Sequence, residues 1–268
     1  MKLPRLGLGT WHMGESPGAR AAEVAALRAG LDAGLALIDT AEMYGDGGAE
    51  EVVGEAIRGR RGEACIVTKF YPHNASRKKL PMACEASLRR LGIERIDLYL
   101  LHWRGSVPLE ETVETLELLA RQGKIARWGV SNFDVGDIQE LARAAGGERV
   151  AANQVLYNLA RRGIEFDLLP LCQESRIDVM AYSPLDEGGL TAHPALKAAA
   201  AGAGLSAAQL AVAWLLTRPG VCAIPKTANE TRVREFAAVR DATLDPAVLA
   251  ALDKAFPPPS GKRPLEVI

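Results

Sequence analysis

Asp39, Lys69, His102, the pair Ser131 and Asn132, Gln154, the pair Tyr182 and Ser183, and Lys226 each close a short apolar run, and Tyr44 follows Asp39 by five residues. A tyrosine, with an ordinary pKa of about 10, is a poor acid or base near neutrality. A lysine ammonium beside it favours the phenolate, and an aspartate can hold that lysine charged and in place. Tyr44, Lys69 and Asp39 could therefore form a proton relay, with His102 orienting a carbonyl by hydrogen bonding; a positioned general acid is worth roughly 10²- to 10⁴-fold in rate. Each residue also has a plainer reading. Asp39 with Thr40 could cap the segment that follows, Tyr44 in YGDGG could be a turn aromatic, Lys69 could be a solvated strand end, and His102 is one of four histidines. A whole ring of polar groups at strand ends is costly to bury for packing alone, so the set reads jointly as a functional site.

The elements that must carry these residues repeat along the chain. Candidate strands start near Leu6, Ala36, Cys65, Ile96, Ile125, Val150, Val179 and Val221, at gaps of 30, 29, 31, 29, 25, 29 and 42 residues. That spacing is one strand plus one helix. In AAEVAALRAGLDAG, Val24, Leu27 and Leu31 share a helical face and Gly34 is placed to end the helix. Further helices are expected at 50–57, 79–91, 109–121, 135–145, 166–174, 207–216, 231–239 and 246–255. The Gly- and Ala-rich stretch 186–204 should hold a loop and one short extra helix. Eight such units point to a single-domain (β/α)8 TIM barrel spanning residues 1–268, with a short tail at 257–268; a doubly wound sheet is the other arrangement considered.

Composition bounds the partners. Lys and Arg number 32 against 33 Asp and Glu, and the apolar fraction is 48%, a balance that disfavours a polyanion-binding or disordered chain. Cys65, Cys84, Cys172 and Cys222 form no C-x-x-C pair, which argues against a zinc site and for a reducing compartment. The N-terminus lacks a signal-peptide apolar region and the longest apolar run, Leu210 to Leu216, is too short to span a bilayer. A cytoplasmic monomer acting on a small molecule, with no nucleic-acid or membrane partner, is expected.

The motifs LIDTAEMYG, VTK, LHW, GVSNF, NQV, AYSPL and IPK, the last followed by Arg232, stand in the order and approximate spacing of the aldo-keto reductases, which the chain resembles over essentially its full length. Segments such as KFYPHNAS and NQVLYNLARRGIEFDLLP are most similar to a bacterial branch associated with methylglyoxal reduction. The resemblance implies NADPH-dependent reduction of aldehydes and ketones, with Tyr44 as proton donor, His102 as orienter, and Lys69 with Asp39 tuning the tyrosine. It implies that Ser131, Asn132 and Gln154 bind the nicotinamide carboxamide and that Tyr182 stacks on the ring. Ser183 and Leu185 would meet the pyrophosphate, and Lys226 with Arg232 the 2′-phosphate. Thr10, Trp11, Pro184, Ile224, Pro225, Thr227 and Glu235 complete the implied cofactor set, while Trp11, Tyr71 and Trp103 would line the substrate cleft. No metal is implied. Consistently, no G-x-G-x-x-G follows any candidate strand, which disfavours a Rossmann site, and the helix starting near Asn229 could aim its N-terminus at phosphate.

The chain departs from the family pattern in three places. Phe236 stands where an adenine-contacting asparagine is common, the N-terminal plug of the barrel is cut to Met1–Arg5, and the C-terminal substrate loop is reduced to the segment after Pro259. An open cleft of low selectivity is the corresponding expectation. Two other readings are a cofactor-binding regulatory subunit with little turnover and, more weakly, a metal-dependent barrel hydrolase, for which the strand ends offer no His and carboxylate cluster.

Overall fold

The structure is a computed structural model and describes residues 3–268. Eight parallel strands run in sequence order around one sheet: β1 (Gly7–Gly9), β2 (Leu37–Asp39), β3 (Cys65–Phe70), β4 (Leu98–Leu101), β5 (Trp128–Ser131), β6 (Ala152–Leu156), β7 (Asp178–Tyr182) and β8 (Val221–Ala223). The sheet closes into a barrel without a full β8–β1 ladder: Ala223 N–H donates to the Arg5 carbonyl at 2.9 Å and Gly9 N–H to the Pro225 carbonyl at 3.0 Å. Gly9 suits this seam, because a Cβ there would stand a tight 3.0 Å from the Ile224 carbonyl oxygen.

The helices are α1 (Arg20–Asp32), α2 (Gly48–Ala56), α3 (Lys79–Leu91), α4 (Leu109–Arg121), α5 (Val135–Leu141), α6 (Leu168–Glu174), α7 (Gly189–Ala192), α8 (Pro194–Gly202), α9 (Ala207–Leu216), α10 (Glu230–Ala238) and α11 (Pro246–Ala255). Side-chain caps set several starts: Asp134 with Asp137 on α5 and Ser206 with Gln209 on α9 form reciprocal capping boxes. Two expectations need correction. The helix expected to run to Ala145 stops at Leu141, where the chain folds back so tightly that a Cβ on Gly147 would overlap the Leu141 carbonyl. The stretch 186–204 holds two helices, α7 and α8, instead of one. Among the described residues no single helix is long and apolar enough to cross a membrane.

Strand periodicity explains how polar groups meet. Leu37, Val67, Ala152 and Met180 are buried together in the barrel lumen. Two residues on, and so on the same face, stand Asp39, Lys69, Gln154 and Tyr182. The lumen is apolar in its lower layer and polar at its C-terminal mouth. Leu3 is buried in the lower lumen group, so that end is occupied at Leu3, while Met1 and Lys2 of the expected plug lie outside the described residues. Phe236 faces inward from α10 into the core between barrel and helices, which removes it from the cleft wall.

Candidate active site

The loop after β2 delivers Tyr44 to this mouth. Gly45, Asp46 and Gly47 take left-handed φ values of 56, 51 and 89° in succession, turning the chain sharply into α2. The turn is braced by backbone contact with the β1 loop, where Gly14 (φ 75°) would drive a Cβ to 2.2 Å from the Gly48 carbonyl carbon.

Lys69, fully buried, donates from Nζ to Asp39 Oδ2 at 2.8 Å, to the Thr40 carbonyl at 2.8 Å and to Tyr44 Oη at 3.1 Å. Its three ammonium hydrogens thus have three acceptors. Burial works against the Lys69 charge, but the Asp39 carboxylate and Tyr44 more than offset it, and the ammonium is held above its ordinary pKa. Burial likewise raises Asp39, partly countered by Lys69. Tyr44 departs from the sequence expectation of a lowered pKa. Burial raises it, the Lys69 charge pulls it back, and the net direction is upward, so the phenol is proton-loaded at neutral pH.

His102 follows β4, its ring centroid 5.8 Å from that of Tyr44. Burial, with the Lys69 charge adding, lowers its pKa to about 2, and its Nδ1 is buried without a hydrogen-bond partner among the described residues. The imidazole is therefore neutral at physiological pH. The unfolded chain takes up a proton at His102 below about pH 6.5 while the folded chain does not, so stability should fall with pH through that value by about 1.4 kcal/mol per unit from this group. Thermal midpoints between pH 7.5 and 5 should drop less in His102→Gln than in the parent; parallel curves would show that His102 is not buried neutral.

Around the Asp39, Tyr44 and His102 edge lies a cleft of about 580 Å³. The β1 and β8 loops contribute Thr10, Trp11, Ile224, Pro225 and Lys226 to its wall, with Arg232 from α10. The β5, β6 and β7 ends contribute Ser131, Asn132, Gln154, Tyr182, Ser183, Pro184 and Leu185. Asn132 and Ser183 both hold left-handed backbone, at φ 58 and 48°, as does His12 at 62°. Non-glycine residues in that region store strain, which the surrounding structure must over-determine and which tends to gather at functional sites.

Several expected residues lie elsewhere. Thr227 is buried outside the cleft wall and its hydroxyl accepts from Asn229 N–H at 3.1 Å. Glu235 is also outside it, its carbonyl bonded by Gln209. Tyr71 and Trp103 form an aromatic flank beside His102, the Trp103 ring centroid standing 5.0 Å from that of His102 and 5.9 Å from that of Tyr71, and neither is part of the wall of this cleft. The start of α10 is less available to phosphate than expected, because the Asn229 side chain already accepts from the Thr231 and Arg232 amides. Met43, Glu187, Gly188 and Ile268 join the wall without having been expected there.

The tail also corrects the open-cleft expectation. Lys262 pairs with Asp167 at 3.2 Å, Leu265 packs on the core, and Glu266 pairs with Arg161 at 2.7 Å. Thus pinned, the tail brings Ile268 to the cleft beside Tyr182. The opposite side stays open, with Trp11 42% and Trp103 38% exposed.

A parallel barrel with a buried Asp–Lys–Tyr triad and a neutral histidine at its C-terminal mouth defines a class of barrel enzyme equipped to hand a proton to a bound oxygen. The chain belongs to the aldo/keto reductase family, whose sequence profile matches residues 5–256. It is 54% identical over 273 residues to methylglyoxal reductase YeaE of Escherichia coli, covering 100% of this chain and 96% of that one. The fold matches an aldo/keto reductase from Klebsiella pneumoniae in complex with NADP and acetate at a TM-score of 0.98 and 53% identity, over 99% of this chain and 96% of that one. A thermostable aldo-keto reductase in complex with the inhibitor epalrestat matches at 0.88 and 36%, over 94% and 95%.

Proposed function

We propose that this protein reduces small aldehydes and ketones, methylglyoxal among them, to alcohols with NADPH. The observation that carries the reading is the Lys69 ammonium standing between the Tyr44 hydroxyl and the Asp39 carboxylate, at 3.1 and 2.8 Å, on the wall of a cleft with room for a dinucleotide end and a small carbonyl. The residues present suit that cofactor. Lys226 and Arg232 border the cleft and make no ion pair among the described residues, leaving both charges for a phosphate. Tyr182 offers a ring face, its hydroxyl tied to Asn132 Oδ1 at 3.0 Å.

When bound, the reduced nicotinamide supplies the hydride. The chain's own residues do the rest. Tyr44, kept protonated by burial, donates to the carbonyl oxygen as negative charge grows there, and Lys69 stabilises the phenolate left behind. Asp39 keeps the ammonium paired, so the buried charge never stands alone. His102, being neutral, orients the carbonyl by a hydrogen bond and does not compete with Tyr44 as the acid. The likeness to YeaE and to the NADP-bound Klebsiella enzyme supports both the cofactor and methylglyoxal as a substrate.

The test is an NADPH-oxidation assay across methylglyoxal and a series of straight-chain aldehydes, repeated with NADH. NADPH should bind more tightly than NADH at low salt. Efficiency should rise weakly with chain length, because the open Trp11 and Trp103 side leaves the far end of a long substrate in water. A rise approaching about fourfold per carbon, the worth of a fully buried CH₂, would show a closed apolar tunnel, and no NADPH oxidation with any carbonyl would overturn the function.

A further inference from the structure

Glu50 is fully buried behind the barrel wall, in the first turn of α2, and does not border the cleft. Its two carboxylate oxygens are committed in different directions. Oε1 accepts from the Thr68 hydroxyl at 2.5 Å and Oε2 from Arg90 Nε at 2.6 Å, while Arg90 Nη2 also donates to Ser87 Oγ at 3.3 Å. Thr68 precedes Lys69 on β3, and strand alternation turns its side chain out toward the helices where that of Lys69 turns into the lumen. Arg90, near the end of α3, lies against the turn that delivers Tyr44: a Cβ on Gly47 would stand 2.5 Å from both Cδ and Nε of Arg90. Beside it α2 and α3 approach through backbone, since a Cβ on Gly54 would reach 2.7 Å from the Leu91 carbonyl oxygen. One carboxylate thus joins the strand that carries Lys69 to the side chain that backs the loop carrying Tyr44.

We infer, on the proposed reading of Tyr44 as proton donor, that Glu50 is a positioning residue for proton transfer, holding the Tyr44 hydroxyl and the Lys69 ammonium at their 3.1 Å separation through Arg90 and Thr68. The two groups need such a reference because they stand on unlike supports. Lys69 sits in a strand paired on both sides, by β2 and by β4. Tyr44 sits at the head of a turn whose next three residues are all left-handed, Asp46 among them without the freedom of glycine, and such backbone persists only where its surroundings over-determine it. Stability alone is a weak account of Glu50, because a buried ion pair can often be exchanged for well-packed apolar side chains at no loss. Geometry is the better account. A misplacement of about 1 Å in a reacting group can cost about 10²-fold in rate, so releasing one arm of the brace should cost about tenfold.

The experiment measures kcat and KM for methylglyoxal with NADPH, and Kd for NADPH by quenching of protein fluorescence, in the parent, Glu50→Gln, Tyr44→Phe and the double variant. Gln keeps the size of Glu but offers one acceptor oxygen where Glu offers two, so one arm must be released. In Glu50→Gln, kcat should fall about tenfold, with KM and Kd within about twofold of the parent, the split expected when only the transition state loses an interaction. In the Tyr44→Phe background the same substitution should change kcat by less than about twofold, because a residue that acts through the Tyr44 hydroxyl then has nothing left to position. Thr68→Val keeps nearly the same side-chain shape and the Glu50–Arg90 pair while removing the other arm, and is held to the same expectations if Glu50→Gln does not fold. A parent-like kcat in the folded variant, a change carried by KM or Kd in place of kcat, or an equal loss with and without the Tyr44 hydroxyl overturns the inference and leaves Tyr44 as the acid. Parent-like turnover in Tyr44→Phe, or no NADPH oxidation by the parent, overturns the functional reading and the inference with it.

Discussion

Turnover of a Tyr44→Phe variant is expected to fall by about 10²-fold or more, the factor a positioned general acid contributes, with NADPH affinity nearly unchanged. The ring keeps its packing against Trp11, whose centroid is 4.8 Å away, so the loop has no cause to move. What is deleted is the one hydroxyl that Lys69 touches. Because the parent phenol is held above its ordinary pKa, the loss should be present across the neutral range and should not be recovered by raising the pH. A drop in kcat and kcat/KM together is the signature of an interaction made in the transition state. A variant that keeps its turnover would remove Tyr44 from the chemistry.

Lys69→Met should fail on two counts. It strips the Tyr44 phenolate of the cationic neighbour that Lys69 provides, and turnover should drop at least as far, about 10²-fold. It also leaves the Asp39 carboxylate buried beside Gln154 with no counter-charge. Removing one partner of a buried pair costs about 3–5 kcal/mol. Thermal unfolding should therefore move well below the parent, and the deficit should shrink as the pH is lowered and Asp39 takes up a proton. A double variant, Lys69→Met with Asp39→Asn, should regain much of the stability and none of the turnover. If Lys69→Met alone melts with the parent, the pair is not the buried bridge described above.

Much of this could be read along the chain because strand alternation and strand ends are local properties. The spacing of Asp39 from Leu37 and of Lys69 from Val67 already places a polar group two residues above an apolar one, and helices α3, α4, α9 and α11 begin and end where periodicity and caps put them. The bond from Gln154 to Asp39 was illegible for the opposite reason: it crosses the barrel, and no local pattern shows which strand-end groups face one another. The upward direction of Tyr44 was missed because a neighbouring charge can be inferred from a motif, whereas the depth of burial that outweighs it depends on the packed whole. The tail misled for a related reason. Its shortness is visible, but its anchoring needs Asp167 and Arg161, which belong to another loop. Thr227 and Glu235 stand outside the cleft wall, and the turn of the Thr227 hydroxyl toward the Asn229 N–H is a contact that no motif position announces.

The seam between β8 and β1 has a consequence for how the barrel holds together over time. Elsewhere neighbouring strands are laced by ladders, whereas here two isolated parallel bridges, Leu6 with Ala223 and Gly9 with Lys226, make the join. Thr10 and Trp11 stand on one margin of this seam, Pro225 and Lys226 on the other, and all four face the cleft. A ligand lying across them acts as a clamp on the weakest join in the wall. Breathing of the seam and escape of the ligand then draw on the same few contacts, and the loaded barrel resists local unzipping by the margin that mass action allows, RT ln(1 + [L]/Kd). The stave that is least well nailed is the one the bound dinucleotide would hold shut.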